Sequence, residues 1–370
     1  MKVGSDFAGM RSLAVSYPRG IRTNEYFRTN YPDVVAAAEK KTLAKIWAAP
    51  GENAKKADAF DAEMKAYLGD PFRGSVRRRV LAKGETSLAL ELTAAKDALA
   101  AARMQPQDVD LMIVGSLRPD TIGVGNAAYL SAELGLRGAA WNLETACSSS
   151  VVGLQTANAL VRAGDYGNVL VVTSCTYSRD ADESDSLSWF LGDGAGAFVV
   201  CPSRGPDGVL GSKTVHTADT CGAFYYDMMV TSDGSPRFRM NADAEAARVL
   251  RDSAIVYLRE CCEGALGAAS MRLSDVDFFI FNTPTAWYAK FCARALGVDV
   301  SRTIDTYPLY ANIGPALMPS NLYRAVRSNR IRQGDVVLLY AIGSSSTASA
   351  TLMRWGDVSL GPDPEDDVVG

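Results

Sequence analysis

The chain has 370 residues, of which 48% are hydrophobic and 22% are charged, and its formal net charge at pH 7 is −4. This composition is typical of a globular protein that buries one large core or two fused ones. The mild acidity and the lack of a recognisable binding motif exclude a general affinity for nucleic acid. The first residues lack the layout of a signal peptide, and no apolar run is long enough to span a membrane. We therefore expect a cytoplasmic protein.

Seven cysteines, an odd number without paired spacing, indicate free thiols in a reducing compartment rather than a disulfide framework. Cys261 and Cys262 are adjacent, which is not the spacing of metal ligands, and the chain has a single histidine. We therefore expect no metal site, while one of the thiols remains available for chemistry.

Residues 20–80 contain a helix candidate, VVAAAEKKTLAKIW, and have no counterpart elsewhere in the chain. They are predicted to form an inserted, surface-exposed cap. A basic cluster of four arginines closes this segment: Arg73, Arg77, Arg78 and Arg79. On spacing alone, a solvated basic turn is at least as good an interpretation as a phosphate contact.

After the cap, the chain repeats itself. ALAAARMQPQDVDLMIVGS at 98–116 parallels ALGAASMRLSDVDFFIFNT at 265–283, and NALVRAGDYGNVLVV at 158–172 parallels YRAVRSNRIRQGDVVLL at 323–339. In each half, continuous apolar strands alternate with Ala-rich helices, which predicts an α/β fold with mostly parallel sheets covered on both faces. We expect the halves to comprise residues 1–205 and 206–370, the second ending in a short acidic tail.

The stretch WNLETACSSSVVGLQTA places Cys147 between a strand and a predicted helix. The repeat places Asn312 within two residues of the equivalent position, and Asn282 follows the repeated strand of the second half. Because ligand sites form where parallel strands end, we expect these three side chains to converge. Exposed N–H groups at a helix start lower the pKa of a thiol, so a reactive Cys147 is the favoured interpretation over a buried small hydrophobe.

Four segments now carry a resemblance: WNLETACSSSVVGLQTANALVRAGDYGNVLVVTS, FLGDGAGAFVV, YANIGPAL and AIGSSSTASATLMRW. From about residue 75 to 355 the chain resembles the β-ketoacyl-acyl-carrier-protein synthase III-like condensing enzymes of the thiolase superfamily. The resemblance implies a duplicated, five-layered αβαβα sandwich, usually a homodimer. It also implies that Cys147 takes an acyl group from a coenzyme A or carrier-protein thioester, which is a substrate and not a bound cofactor.

The family's catalytic asparagine matches Asn312, but the place of its catalytic histidine is held by Asn282. The one histidine, His216, lies far from that motif, and we expect it not to contact the site. An amide can donate a hydrogen bond to a developing enolate, yet it cannot hold a proton near neutral pH. The substitution mildly favours decarboxylative condensation, or an amine acceptor, over transfer to an alcohol.

Further residues take roles by the same resemblance. The N–H groups of Ser344, in the glycine-rich turn that begins at Gly343, and of Cys147 match the oxyanion hole. Arg73 and Met240 match positions in the coenzyme A channel, whereas a second nucleotide-binding arginine is replaced near Asp185. Trp189 and Phe190 are equally well interpreted as walls of the acyl pocket or as plain core.

The sequence thus predicts a ketosynthase III-like acyltransferase that performs a Claisen-type condensation in fatty-acid-like or polyketide specialised metabolism. Two alternatives stay open. One is a non-condensing acyltransferase that modifies a sugar, an amine or another scaffold. The other is a degenerate subunit whose partner carries out the chemistry, although the retained Cys147 and Asn312 weigh against it.

Overall fold

The computed structural model describes residues 6–47, 59–203, 205–230, 234–241, 243–344 and 346–364. In this part of the chain, ten helices follow one another: α1 Asn24–Asn30, α2 Pro32–Trp47, α3 Ala59–Met64, α4 Ser87–Ala102, α5 Ala127–Leu134, α6 Ser149–Ala163, α7 Ala244–Ala268, α8 Tyr288–Leu296, α9 Tyr307–Tyr310 and α10 Leu317–Arg327. None of these helices combines the length and apolarity needed to cross a membrane.

The strands of the described residues number fourteen: β1 Ala8–Ser16, β2 Gly20–Thr23, β3 Arg77–Val80, β4 Leu111–Ser116, β5 Ala139–Asn142, β6 Val169–Thr176, β7 Asp193–Pro202, β8 Gly208–His216, β9 Tyr225–Val230, β10 Pro236–Asn241, β11 Phe278–Phe281, β12 Val336–Ile342, β13 Thr347–Arg354 and β14 Ser359–Leu360. Ten of them form two large sheets, and the other four form two small antiparallel pairs, β2 with β3 and β9 with β10.

Apart from β14 at the edge of the first sheet, the two large sheets have the same strand order, which confirms the repeat seen in the sequence. The first sheet runs β14-β1-β7-β6-β4-β5, and the second runs β8-β13-β12-β11. Where the first sheet ends in β5, the second has only a single parallel bridge between Phe279 and Thr303. The two halves are therefore built on one plan, with the last strand of the second reduced to one residue pair.

The sheets are mixed, so the prediction of mostly parallel sheets is wrong. β4 pairs in parallel with both β5 and β6, but β7 is antiparallel to β6 and to β1. The second sheet repeats this pattern around β13. The physical reason is that no α-helix lies between β6 and β7, or between β12 and β13, so each following strand returns in the opposite direction.

Helices cover each sheet on both faces. One apolar cluster joins α4 and α5 to the outer face of the first sheet, and a second joins α7 and α8 to the outer face of the other. The largest cluster contains α6, α10 and the inner faces of both sheets. The layers are thus helix, sheet, helix, sheet, helix, which confirms the predicted αβαβα sandwich.

The repeated Asp-Val-Asp motif has a local cause. Asp108 and Asp275 each accept a hydrogen bond from the backbone N–H three residues earlier and so close a 3₁₀ turn. The second aspartate of each motif reaches the neighbouring parallel strand. Asp110 accepts from the N–H groups of residues 167 and 168, at 2.7 and 3.0 Å, and Asp277 accepts from that of Val336 at 2.8 Å. The motif therefore fixes the register of the strand pair that leads to the carboxyl edge of each sheet.

Residues 20–80 form the expected addition, although residues 48–58 lie outside the described part. The pair β2–β3 and helices α1 to α3 have no counterpart in the second half. Phe27 and Phe72 pack their rings against Trp189, at centroid distances of 5.9 and 4.8 Å. The cap is therefore anchored on the loop that precedes β7.

The arginine cluster is not a solvated turn. Arg78 and Arg79 are buried. The Arg78 guanidinium donates to the Trp189 carbonyl oxygen at 2.7 and 3.0 Å and to the Asn24 side chain at 3.0 Å. Buried charge of this kind is tolerated because nearly every donor has an acceptor. Arg78 thus ties the cap to the central fold, and its hydrogen bonds are used within the protein.

The predicted division near residue 205 falls in the connection between β7 and β8. The end of the chain does not follow this division, because β14 belongs to the second predicted half but pairs in parallel with β1 of the first sheet. Most of the acidic tail, residues 365–370, lies outside the described part.

The two Asp-Val-Asp motifs yield a prediction about stability. Asp110→Ala removes two hydrogen bonds to a carboxylate and Asp277→Ala removes one. Each such bond contributes about 1.5–3 kcal/mol, so both variants should be less stable, and Asp110→Ala more so. Urea unfolding followed by circular dichroism measures this. Glu133→Ala, on the exposed side of α5, serves as the control, and equal midpoints for all three variants would contradict the explanation.

Candidate active site

Cys147 lies in a tight turn at the carboxyl edge of the first sheet. A 3₁₀ turn, Ala146–Ser148, follows β5 and leads directly into α6. Ala146 has a φ of +53°, a left-handed conformation that non-glycine residues rarely adopt. The Glu144 carboxylate accepts from the Ala146 N–H at 2.7 Å and from the Ser149 hydroxyl at 3.0 Å, and these bonds hold the strained turn. The turn presents the half-buried Cys147 thiol at the start of a helix.

The prediction that the helix start lowers the pKa of this thiol is wrong. Burial raises the pKa of Cys147 to about 11, and the nearby Glu144 carboxylate acts in the same direction. A hydrogen bond from Tyr177 acts against them. Loss of solvation around the sulfur is the largest cause of this shift.

Asn312 is held by backbone contacts with the other half of the molecule. Its N–H donates to the Phe190 carbonyl oxygen and its own carbonyl oxygen accepts from the Gly192 N–H, both at 2.9 Å. The side-chain Oδ1 accepts from the Gly314 N–H at 2.9 Å, so Nδ2 is the end of the amide that can donate to a substrate. The 3₁₀ turn 314–316 packs against the turn that carries Cys147.

Asn282 follows β11 and is fully buried. Its Oδ1 accepts from the Ile342 N–H at 3.1 Å, which fixes the orientation of the amide. Its Nδ2 is buried and has no hydrogen-bond partner within the described residues. A buried donor without a partner is costly, and such groups point to a ligand that completes them.

The glycine-rich turn of the second half touches the cysteine turn of the first. A Cβ on Gly343 would collide with the Thr145 carbonyl oxygen, so this close approach requires glycine. Next to it, the hydroxyls of Ser148 and Thr347 are 2.7 Å apart. The Ser344 hydroxyl is buried without a partner in the described part of the chain. These contacts join the turn that carries Cys147 to the end of β12, where the Ile342 N–H holds the amide of Asn282.

A cavity of about 310 Å³ opens beside these turns and reaches Asn312 and Ile342. Its walls are predominantly apolar and come from the cap, the loop before β7, α7, and the loop between β11 and α8. The residues that line it are Arg73, Leu187, Phe190, Leu191, Phe224, Leu250, Arg251, Ala254, Pro284, Thr285, Trp287, Tyr288, Tyr307, Asn312 and Ile342. Its shape and lining suit an apolar chain or arm with a polar group at each end.

Only some of the residues predicted to line the coenzyme A channel or the acyl pocket lie at the cavity. Arg73 and Phe190 line the cavity. Trp189 is fully buried against the cap, so the core interpretation applies to it. Met240 lies in an apolar cluster with Tyr177 and does not belong to the lining of the cavity.

Asp185, at the place of the missing second arginine, lies 3.6 Å from the Arg239 guanidinium. A strand of the facing hairpin thus brings a positive charge to this place. No local pattern indicates this pair, because β10 comes more than fifty residues after Asp185.

His216 lies at the end of β8 with an exposed side chain, and its Nδ1 accepts from the Ala218 N–H at 3.5 Å. Among the described residues, no hydrogen bond joins it to Cys147, Asn282 or Asn312. Its position agrees with the expectation that it stays outside the site.

Sequence reasoning missed two residues near the site. Tyr177 lies just after β6, and its hydroxyl is 3.9 Å from the Cys147 sulfur. Glu91 of α4 is fully buried and accepts from the hydroxyls of Ser116, the last residue of β4, and of Ser174 in the adjacent strand β6. Burial raises the pKa of Glu91 to about 7. In the sequence, Glu91 could have been noticed as a glutamate on the predicted buried face of an Ala-rich helix. No sequence pattern marks Tyr177.

A second cleft, of about 450 Å³, is polar and lies at the opposite edge of the sheets, where β7 ends and β8 begins. It shares no residue with the site around Cys147. No group of three or more potential metal ligands occurs within the residues that the structure describes.

Comparisons with known proteins agree with this geometry. A family model described as 3-oxoacyl-[acyl-carrier-protein] synthase III matches residues 141–219, and the model of its C-terminal part matches residues 266–355. A β-ketoacyl-[acyl-carrier-protein] synthase III from Sinorhizobium medicae is 31% identical over 308 residues, which cover 80% of this chain and 94% of that protein. The enzyme of the same name from Rhizobium meliloti is 30% identical over 298 residues, covering 76% and 89%.

Solved structures show that the fold is shared. The 3-oxoacyl-(acyl carrier protein) synthase III of Pseudomonas aeruginosa superimposes with a TM-score of 0.75 at 22% identity, covering 95% of this chain and 98% of that one. An OleA variant from Xanthomonas campestris, solved with lauric acid and lauroyl-CoA, gives a TM-score of 0.73 at 19% identity, covering 95% and 99%. On the sequence identity and coverage of its relatives, this chain belongs to the β-ketoacyl-acyl-carrier-protein synthase III family of condensing enzymes.

Proposed function

We propose that this protein loads an acyl group from a coenzyme A or carrier-protein thioester onto Cys147 and transfers it by a decarboxylative Claisen condensation. The observation that carries the proposal is the amide of Asn282. Its oxygen is occupied by the Ile342 N–H, while its Nδ2 is buried without a partner in the described residues. The site therefore offers a hydrogen-bond donor, and not a base, at the place where a thioester carbonyl would gain enolate character.

In the loading step, the Cys147 thiolate attacks the carbonyl carbon of the donor thioester. The N–H groups of Cys147 and Ser344 stabilise the oxyanion of the tetrahedral intermediate. A new carbon–sulfur bond forms, the bond to the donor sulfur breaks, and the released thiolate takes up a proton. The acyl group then remains on Cys147 as a thioester.

In the condensation step, loss of CO₂ from a malonyl-type thioester generates the carbon nucleophile, so no side chain has to remove a proton. Donation from Nδ2 of Asn282 and of Asn312 stabilises the developing enolate oxygen. The enolate carbon attacks the acyl thioester and Cys147 leaves as a thiolate. Transfer to an alcohol would instead need a general base, and the exposed His216 lies outside the site.

The cationic side chains around the cavity support a donor that carries phosphate, as coenzyme A and carrier-protein thioesters do. Arg73 and Arg251 line the cavity, and phosphate groups of a pantetheine arm or of coenzyme A pair well with guanidinium groups. The turn that carries Arg73 is fixed by Asp70, which accepts from the N–H groups of Phe72 and Gly74 at 2.9 and 2.6 Å. We propose that Arg73 contacts such a phosphate. We also propose that the protein works in the cytoplasm.

The edge of the first sheet supports a homodimer. β5 pairs only with β4 on one side, which leaves the outer edge of this strand open in the described chain. Nearby, Ile122 and Val124 are more than half exposed. An open edge strand flanked by apolar side chains is a surface that proteins normally cover, and a twofold copy of β5 would cover it.

The first prediction of this proposal concerns loading. The wild-type protein, incubated with a panel of acyl-CoA and acyl-carrier-protein thioesters, should gain the mass of one acyl group, and Cys147→Ala should lose this adduct. Cys221→Ala, which removes an exposed thiol, should keep it. Intact-protein mass spectrometry measures both. An adduct that persists in Cys147→Ala and maps to Cys175 or Cys292 would refute the assignment of the nucleophile.

The second prediction concerns the two half-reactions. Asn282→Ala should lower the condensation rate about a hundred- to thousandfold, the typical effect of removing an oxyanion-type donor, while acyl loading stays near the wild-type rate. Single-turnover assays with preloaded enzyme separate the two steps. His216→Gln is the control and should retain both. Wild-type condensation in Asn282→Ala would show that this amide only fills space.

The third prediction concerns assembly. Ile122→Asp places a charge beside the open edge of β5 and should shift the protein from dimer to monomer in light scattering coupled to size-exclusion chromatography. Val256→Asp, at an exposed apolar position on α7, is the control. A wild-type protein that is monomeric at micromolar concentration would exclude the homodimer.

A further inference from the structure

Tyr177 places a hydroxyl group beside the nucleophile. The residue begins the short turn that follows β6, and only 7% of it is exposed to solvent. Its ring packs in an apolar cluster with Cys175, Leu191 and Met240. The hydroxyl oxygen is 3.9 Å from the Cys147 sulfur, within the range of hydrogen bonds to sulfur. Tyr177 thus approaches the thiol from the core of the first half.

The Tyr177 hydroxyl is directed to the sulfur of Cys147. Within the part of the chain that the structure describes, its one hydrogen bond joins it to the Cys147 sulfur. Burial raises the pKa of Tyr177 well above its usual value, with the Cys147 thiolate adding to the shift. The phenol therefore keeps its proton at neutral pH and donates it in a hydrogen bond, with the sulfur as acceptor.

We propose that Tyr177 is a further catalytic residue, whose hydroxyl donates a hydrogen bond to the Cys147 thiolate and stabilises it in a site without an imidazole. The proposal rests on the proposed function only in taking Cys147 as the reacting group. The thiol proton passes to water, and Tyr177 keeps its own proton throughout. As the new carbon–sulfur bond forms, the charge on sulfur disappears and the hydrogen bond weakens, so the contribution of Tyr177 lies in the larger fraction of Cys147 that is thiolate at a given pH.

The other titratable groups around this pair do not replace Tyr177. Glu144, from the turn before Cys147, disfavours the thiolate. Cys175 lies at the end of β6 and Tyr226 lies on β9; both raise the pKa of Tyr177 and so help to keep it protonated. Asp193 acts on Cys175 and opposes its ionisation. Among these groups, Tyr177 alone lowers the pKa of Cys147.

The test measures the thiol itself. The rate at which iodoacetamide alkylates Cys147 is followed by peptide mass spectrometry across a pH series in wild type and Tyr177→Phe. Removal of the donor should raise the pKa of Cys147, so the midpoint of the profile should move to higher pH. At a fixed pH below the midpoint, alkylation should slow by about tenfold, as expected for a hydrogen bond to a charged group. Acyl loading should slow in parallel and recover as the pH rises.

Tyr226→Phe is the matched control. The Tyr226 hydroxyl is also buried, its ring packs against the same cluster, and it has no hydrogen-bond partner in the described residues. Its removal should leave the midpoint unchanged. An unshifted midpoint in Tyr177→Phe, or an equal shift in Tyr226→Phe, would overturn the proposal. If Tyr177→Phe does not fold, Tyr177→Leu provides a second variant without the hydroxyl, and the same shift is expected.

Alkylation needs no acyl donor, so the outcomes of the two proposals can be distinguished. A shifted profile in Tyr177→Phe together with a wild type that never loads a thioester would support Tyr177 and refute the proposed function. Normal loading in wild type with identical profiles for both proteins would do the reverse.

Discussion

The active site depends on two backbone hydrogen bonds that join the halves of the molecule. The Asn312 N–H donates to Phe190 and the Asn312 carbonyl oxygen accepts from Gly192, each at 2.9 Å. They form because Gly192 lacks a Cβ, which would collide with the Tyr310 carbonyl oxygen. This bridge places the Asn312 amide of the second half against the loop of the first half that supplies a wall of the cavity. A similar glycine contact, at Gly343, brings the glycine-rich turn against the turn that carries Cys147.

The chemistry of the site follows from which polar atoms are already occupied. Both Asn282 and Asn312 use their side-chain oxygens to accept backbone N–H groups, so Nδ2 is the end of each amide that can donate to a ligand. Such preorganised donors stabilise an enolate without reorganisation when charge develops. They cannot hold a proton, which is why a nucleophile released by decarboxylation suits them. The same apolar surroundings that strengthen these donors make the Cys147 thiolate costly, and the Tyr177 hydroxyl offsets part of that cost.

The cap shapes the entrance rather than the chemistry. Its aromatic side chains and the buried Arg78 hold the loop that contains Trp189 and Phe190, and the adjoining turn delivers Arg73 to the cavity. A segment added to one half only therefore breaks the symmetry of the duplication. On this side of the molecule, the cap forms part of the cavity wall and adds the positive charge of Arg73 to it.

The sequence by itself determined the duplication, the layered α/β class and the place of Cys147, because strand and helix patterns and the Asp-Val-Asp turns are local properties that survive in each half. The repeat also predicted that Asn282 and Asn312 lie close to Cys147, and the resemblance suggested their roles. Only the tertiary structure decided the burial of Arg78 and Trp189, the pairing of Asp185 with Arg239, and the raised pKa of Cys147. Tyr177 belongs to this second group. Solvation and hydrogen bonding depend on neighbours that are distant along the chain, so a local pattern cannot encode which side chain meets the sulfur.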